Sequence, residues 1–368
     1  MTRGDGGDSG AERSGDSERE TASDLAAVVE KARAETAIAE LREEGVYDDA
    51  RKVREYGTAA VALPVTDPPA ETDVREVVRQ VDPDLRSPDL ETLLRERGWT
   101  DEETDRAPGS WAVLGTVILV TFGDCPREGE VGEALLELHG GADTVLANEG
   151  VSGEQREPSV RVVAGEGDTE TIHTEHGVRY ALDLAEVTFS PGNKAERARM
   201  GEVVDPGERV FDMFAGVGYF TLPMAKAGAR VTATEINPTA FRYLTENAVL
   251  NDVQDDVRPF RSDCRDVEVT AERVVMGYYD ASEPSSDGSR TGSDPSYEYL
   301  DAALDALEPG GVVHMHEACP EGLLWERPVE RLEAATEERG RGVDVLDRRR
   351  VKSHSEGVAH VVVDAQVS

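Results

Sequence analysis

Hydrophobic and polar positions follow two styles along this chain. From Pro191 onward, short apolar runs alternate with amphipathic stretches, which predicts strands at 209–214, 230–235, 257–262, 273–278 and 311–316 with helices between them. Asn237-Pro238 is a helix start: the Asn side chain accepts from an orphan N–H, and Pro suits the first helical position. Two further apolar runs, 343–351 and 360–367, flank the turn SHSEG and read as an antiparallel hairpin that finishes the sheet. Strand and helix alternating in this way make a doubly wound α/β sheet. Upstream the pattern is less regular. Apolar residues from Leu25 to Leu41 fall at helical spacing, Ala59 to Val65 reads as a strand, and a Pro/Asp-rich stretch at 66–72 closes a first small module. WAVLGTVILVTF reads as one strand, followed by a helix at 131–139 and strands at 144–147 and 160–163. His173–Asp183 follows, then a strand-like VTFS ending at Ser190. The expected organisation is a disordered acidic tail at 1–22, a small N-terminal module at 23–72, an α+β accessory domain at 73–189, and a catalytic domain at 190–368. A low-complexity acidic insertion, 280–296, interrupts the last of these.

Charge changes the picture of the surroundings. The formal net charge is -37, and of 39 basic residues only Lys31, Lys52, Lys194, Lys226 and Lys352 are lysines. The acidic excess runs along the whole chain, as suits a halophilic cytoplasm where the Debye length shrinks to about 3 Å at 1 M salt. Global acidity therefore does not exclude a nucleic-acid partner. Cys125, Cys264 and Cys319 are far apart, so no disulfide framework or zinc knuckle is expected. No run approaches the roughly 18 apolar residues of a membrane span, and the polar, acidic start is unlike a signal peptide. A cytoplasmic protein without a membrane or an obligate protein partner is expected.

The candidate chemistry is concentrated in VFDMFAGVGYFTLPMAKAGARVTATEINP, 210–238. An apolar run ends in Asp212, breaks into a Gly216/Gly218 turn and is followed by a second run ending in Glu235. Backbone N–H groups at such a turn approach a ligand closely, and an acid ending the next strand accepts from a ribose diol. A dinucleotide site needs a third glycine where this chain has Thr221, and the bulky Tyr219-Phe220 pair stands where a pyrophosphate would want room. The pattern fits S-adenosylmethionine as co-substrate and no metal. His314, His316 and Glu317 end a strand as HMHE, but no third ligand of suitable spacing accompanies them.

FSPGNKAERARM, FDMFAGVGYFTLPMAK, SDCRD, RVVMGYY and HMHEACPEGLL together resemble the archaeal enzymes of the wybutosine pathway. Those enzymes transfer the 3-amino-3-carboxypropyl group of S-adenosylmethionine to C7 of 4-demethylwyosine, next to the anticodon of tRNA(Phe). The resemblance implies a Rossmann-like sheet of the class I methyltransferase type and an anticodon-loop substrate. The related tRNA guanosine-37 N1-methyltransferases share the FSP…ER segment and the glycine turn. They carry Asn-Leu-Pro at the end of the fourth strand, where this chain has Gly277, Tyr278 and Tyr279. A non-catalytic nucleotide-binding RNA-recognition protein is the reading from a different class.

The resemblance further implies that Ser190 and Arg197 contact the co-substrate, Arg197 as partner of its carboxylate. Phe214, Ala215, Gly216 and Gly218 would line the methionine side, Glu235 would bind the ribose, and Asp263 with Cys264 the adenine. Relatives often carry Asn where this chain has Cys264. For catalysis, His316, Glu317 and Tyr278 are the candidates. The local basic patch DRRRVKSH, 347–354, is either a phosphate-contacting surface or a solvated face.

Overall fold

The computed structural model describes residues 24–80, 89–153, 155–278 and 299–368. The expected tail at 1–22, Tyr279 and the insertion 280–296 lie outside the described residues. The chain divides into two compact units, Met1–Thr92 and Leu93–Ser368.

In the first unit a four-stranded sheet has the order β2-β3-β1-β4, with β1 Leu25–Glu30, β2 Arg54–Tyr56, β3 Ala60–Pro64 and β4 Glu76–Arg79. The helix expected from Leu25 begins only at α1, Ala34–Glu43. β1 lies between β3 and β4, and Ala26 to Val29 are all buried. An apolar run buried on both faces loses the alternation that marks a strand, so its periodicity imitated a helix.

Helix α2, Leu90–Glu96, contains the boundary at Thr92, and the second unit continues with α3 Asp101–Thr104, held by a Thr100/Glu103 capping box. A mixed sheet follows in the order β5-β6-β7-β8: β5 Trp111–Leu114, β6 Val117–Val120, β7 Thr144–Ser152 and β8 Glu157–Gly165, with α4 Glu128–Leu138 between β6 and β7. The single strand expected over WAVLGTVILVTF is thus a hairpin. Gly115 makes its turn at φ 58°, and a side chain there would come within 2.1 Å of Thr171 Oγ1. β9 Glu170–Glu175 and β10 Val178–Asp183 form a second hairpin. Residues 187–190, expected as a strand, carry no regular structure and run as an extended link into the next domain.

From there the β/α alternation is as expected. The seven-stranded sheet has the order β13-β12-β11-β14-β15-β17-β16. Its strands are β11 Arg209–Asp212, β12 Arg230–Thr234, β13 Val257–Phe260, β14 Ala271–Met276, β15 Leu307–Pro320, β16 Val343–Ser355 and β17 Val358–Val367. The first five pair in parallel, and β17 returns antiparallel between β15 and β16. Helices α5 Lys194–Val203, α6 Thr221–Lys226 and α7 Pro238–Leu250 alternate with the early strands, and α8 Leu300–Ala306 and α9 Glu326–Glu337 with the later ones. Asn237 caps α7, accepting from Thr239 and Ala240 N–H, with Pro238 at the first position.

Two cores follow from this winding. Val210, Val231 and Val275 share one cluster with α6, α7 and the β6 to β10 region, so this core joins residues on both sides of Ser190. Phe211, Val274, Val313 and Val363 face the opposite way and pack on α8 and α9. Strands β11 and β12 end earlier than the apolar runs predict, at Asp212 and Thr234, leaving Phe214 and Glu235 just beyond their carboxyl ends, while β15 and β16 run on to Pro320 and Ser355. Among the described residues, no helix is long and apolar enough to cross a membrane.

Candidate functional site

A cavity of about 1000 Å³ opens at the carboxyl ends of β11, β12 and β14. Its wall includes Ser190, Phe214, Gly216, Glu235, Asp263, Cys264 and Tyr278, brought together from five separate segments. Gly216 and Gly218 hold φ of 56° and 104°, and a Cβ would meet the Tyr219 ring at 2.6 Å in the first case and Leu222 at 2.7 Å in the second. Both glycines are therefore required by the turn.

Glu235 is held by two backbone donors: Gly216 N–H reaches Oε2 at 2.8 Å and Asn237 N–H reaches Oε1 at 2.7 Å. Burial raises its carboxyl above the usual range against these hydrogen bonds. Each oxygen retains a lone pair for a ligand hydroxyl. Asp263 has its carboxylate held below the usual range by Arg265, whose Nη2 lies 2.6 Å from Oδ2 and whose guanidinium covers the Tyr299 ring at 4.6 Å. Burial pushes the Cys264 thiol up to about 12, which leaves it inert as a nucleophile. Asp212, fully buried beneath the turn, accepts from Thr221 Oγ1 at 2.6 Å, and burial raises its carboxyl to about 6.

Other candidates are placed elsewhere. Arg197 does not line the cavity: it is 2% exposed and donates to both Glu175 oxygens at 2.7 and 2.9 Å, to Ser190 O at 2.8 Å, and lies over the Phe189 ring. Expected as partner of the co-substrate carboxylate, it is paired here with Glu175 and bonds the carbonyl of Ser190, which does line the cavity. Ala215 and Gly218 support the turn from behind, Ala215 N–H donating to Thr234 O. His316 and Glu317 are buried away from the wall. His316 packs on Phe220 and His360, and burial lowers it to about 4; Glu317 is paired with Arg327 and Arg331. Neither reaches the cavity to take a proton. His314 is engaged by Asp364 and Arg273. Among the described residues no group of three His, Cys, Asp or Glu is placed to hold a metal ion.

Tyr278 does face the cavity, its ring 5.2 Å from Phe214 and 6.2 Å from Tyr299. Sequence reasoning missed Tyr299, Lys352 and Arg156; the guanidinium of Arg156 lies 5.9 Å from the Tyr278 ring. The basic patch around Lys352 was the visible signal, but two of its arginines are already paired with acids. Arg349 binds Glu196 and Asp364, and Arg350 binds Glu321.

The strand order, the glycine turn and the acid after the second strand define the fold of class I S-adenosylmethionine-dependent transferases. Two family profiles cover most of the second unit, a TRM5/TYW2 methyltransferase domain over residues 171–346 and a TYW2 N-terminal domain over 90–169. The chain belongs to the TRM5/TYW2 family. It is 37% identical to a tRNA(Phe) (4-demethylwyosine(37)-C(7)) aminocarboxypropyltransferase of Pyrococcus horikoshii, over 71% of this chain and 90% of that protein. The Methanocaldococcus jannaschii protein of the same name is 41% identical over 59% of this chain and 82% of its own length. Among solved structures, Trm5b from Pyrococcus abyssi superposes with a TM-score of 0.69 at 32% identity, covering 94% of this chain and 99% of that one. TYW2 of P. horikoshii in complex with MeSAdo gives 0.61 at 33%, covering 74% and 96%.

Proposed function

We propose that this chain transfers the 3-amino-3-carboxypropyl group of S-adenosylmethionine to C7 of 4-demethylwyosine in tRNA(Phe), releasing 5′-methylthioadenosine. The observation that carries the reading is its similarity to two aminocarboxypropyltransferases over 90% and 82% of their lengths. Gly277 and Tyr278 in the cavity wall agree with it, since a ring carbon offers no N–H for the polar Asn-Leu-Pro motif to hold.

The residues suit the co-substrate. Glu235 has the lone pairs for a ribose diol, Ile236 presents a 38% exposed apolar side chain beside it, and Asp263 and Cys264 stand where an adenine edge would be received. When bound, the sulfonium supplies an electrophilic γ-carbon and a neutral thioether as leaving group. The protein's part is orientation: Phe214 and the glycine turn shape the methionine side, while Tyr278 offers the incoming base an aromatic face. Close placement of nucleophile and carbon contributes several kcal/mol to lowering the barrier, about 7 or more where alignment is good.

The guanosine-37 N1-methyltransferase reading is kept by one observation. The Trm5b structure covers 94% of this chain against 74% for TYW2, so more of this chain has a counterpart in the methyltransferase. Product analysis separates the two. Incubated with S-adenosylmethionine and tRNA carrying the tricyclic base, the enzyme is expected to yield 5′-methylthioadenosine; S-adenosylhomocysteine would overturn the proposal.

The remaining assignments belong to the same proposal. The accessory segment 73–189 would act as a platform for the anticodon arm, and the net charge of -37 suits a cytoplasm of molar salt.

A further inference from the structure

The sequence nominated Arg197 as the partner of the methionine carboxylate, and the structure removes it from that role without removing the need. A zwitterionic amino-acid arm entering the cavity still requires a cation. Lys352, near the end of β16, lines the same cavity and donates from Nζ to Ser190 Oγ at 2.6 Å. Among the described residues it is the one lysine in the wall, of five in the chain, and Arg156 by the Tyr278 ring is the other cation there.

Its surroundings are unusual for this protein. Two other cations of the same strand are paired with acids, Arg349 with Glu196 and Asp364 and Arg350 with Glu321, while Arg348 is exposed. Lys352 makes no ion pair with any described residue; Ser190 is its hydrogen-bond partner. In a chain of 76 acids against 39 bases, a partly buried ammonium directed at a cavity and left without a carboxylate is a group with an anion to receive. The backbone makes room for it. A Cβ on Gly192 would stand 2.9 Å from Lys352 Cδ, so the stem lies against a position that has no side chain.

Ser190 completes the arrangement. Its carbonyl is held by Arg197, which is itself locked on Glu175, so its hydroxyl is presented from a fixed backbone. That hydroxyl accepts from Lys352 and retains its own proton to donate. Two donors therefore converge on one place: an ammonium and a hydroxyl. The aromatic link from Phe189 to Tyr219, stacked at 5.3 Å, ties this place to the glycine turn where the methionine side is expected.

We infer that Lys352, with Ser190, is the anchor for the carboxylate of the methionine arm, and that Arg197 acts one step behind as a positioning residue. The inference rests on the proposed use of S-adenosylmethionine. Anchoring the carboxylate at the β16 edge fixes the far end of the arm whose γ-carbon is to be attacked.

The test compares two ligands that differ in this arm. S-adenosylmethionine carries the carboxylate, and 5′-methylthioadenosine lacks the arm altogether. In titration calorimetry in molar KCl, Lys352→Met is expected to weaken S-adenosylmethionine roughly tenfold or more while leaving 5′-methylthioadenosine unchanged, the size of one charge-assisted hydrogen bond. Lys352→Arg should recover most of the loss. Retained 5′-methylthioadenosine binding also shows that the variant is folded. Equal weakening of both ligands, or of neither, overturns the assignment. If S-adenosylmethionine binding is unchanged and tRNA affinity falls instead, Lys352 serves an RNA phosphate and the assignment is wrong. If the unaltered protein binds neither ligand, the co-substrate reading itself fails and the anchor falls with it.

Discussion

Replacing Arg197 by Met is expected to cost stability first and ligand affinity only indirectly. The Arg197 and Glu175 side chains are 2% and 4% exposed, and the guanidinium makes two hydrogen bonds to the carboxylate and one to Ser190 O. Removing the cation leaves a buried carboxylate with His173, 3.1 Å away, as its described partner. Breaking a buried pair in this way costs about 3–5 kcal/mol. The acid's titration gives a similar size. Burial works to raise Glu175, but hydrogen bonds from His173 and Arg197 outweigh it and bring the carboxyl from 4.5 to about 2. At about 1.4 kcal/mol per pH unit that depression is worth about 3 kcal/mol. Because the folded value is the lower one, the stabilisation is fully present above pH 4.5 and is lost as pH falls toward 2.

Urea unfolding in molar KCl reads this directly. The stability gap between the unaltered protein and Arg197→Met should be about 3 kcal/mol at pH 7 and should close as the pH is lowered through 4 toward 2. Replacing both Glu175 and Arg197 by apolar residues should recover part of the loss, since no charge is then left unpaired. Binding of S-adenosylmethionine should weaken only through the loosened Ser190, less than in Lys352→Met, while 5′-methylthioadenosine binding is retained. A stability change below about 1 kcal/mol, together with selective loss of S-adenosylmethionine, would refute the reasoning and return Arg197 to the ligand.

Glu235→Ala should weaken both adenosine ligands alike, roughly 10- to 100-fold, because it removes a ribose acceptor and frees the Gly216 N–H; calorimetry checks this. Cys264, raised to about 12 by burial, should resist iodoacetamide at pH 8 in the native protein and react only after denaturation, as mass spectrometry of the labelled peptide would show. Between about 0.1 M and about 1 M KCl the Debye length falls from about 10 to about 3 Å, so the midpoint of thermal unfolding should rise steeply over that range for a chain of net charge -37. A flat midpoint would contradict the halophilic reading.

What was legible in the sequence was local chemistry. Gly216, Gly218 and Glu235 fall within one strand–turn–helix–strand unit, where spacing and geometry are nearly the same thing, so their convergence on the cavity was visible. The parallel strands were visible for a similar reason, each being a short apolar run between amphipathic helices. β1 was not, because Ala26 to Val29 are buried on both faces and lose their alternation. The pairing of Arg197 was not legible because Glu175 lies 22 residues upstream on β9, and pairing between separate hairpins and helices leaves no trace in spacing. Lys352 was hidden for the same reason: a basic patch on an edge strand looks solvated until β17 and β15 are seen to bring its end to the cavity. His316 and Glu317 were expected to end their strand, but β15 runs on to Pro320, and its partner β17 and helix α9 cover them.

The central claim concerns which carbon of the co-substrate is used, and isotope transfer measures it most directly. tRNA(Phe) bearing 4-demethylwyosine is incubated in molar KCl with S-adenosylmethionine labelled either in the methyl group or in the carboxyl carbon, and radioactivity in the recovered tRNA is counted. Carboxyl label in the tRNA with none from the methyl group is the result predicted by an enzyme that presents the γ-carbon. Methyl label in the tRNA would contradict it and make this chain a methyltransferase.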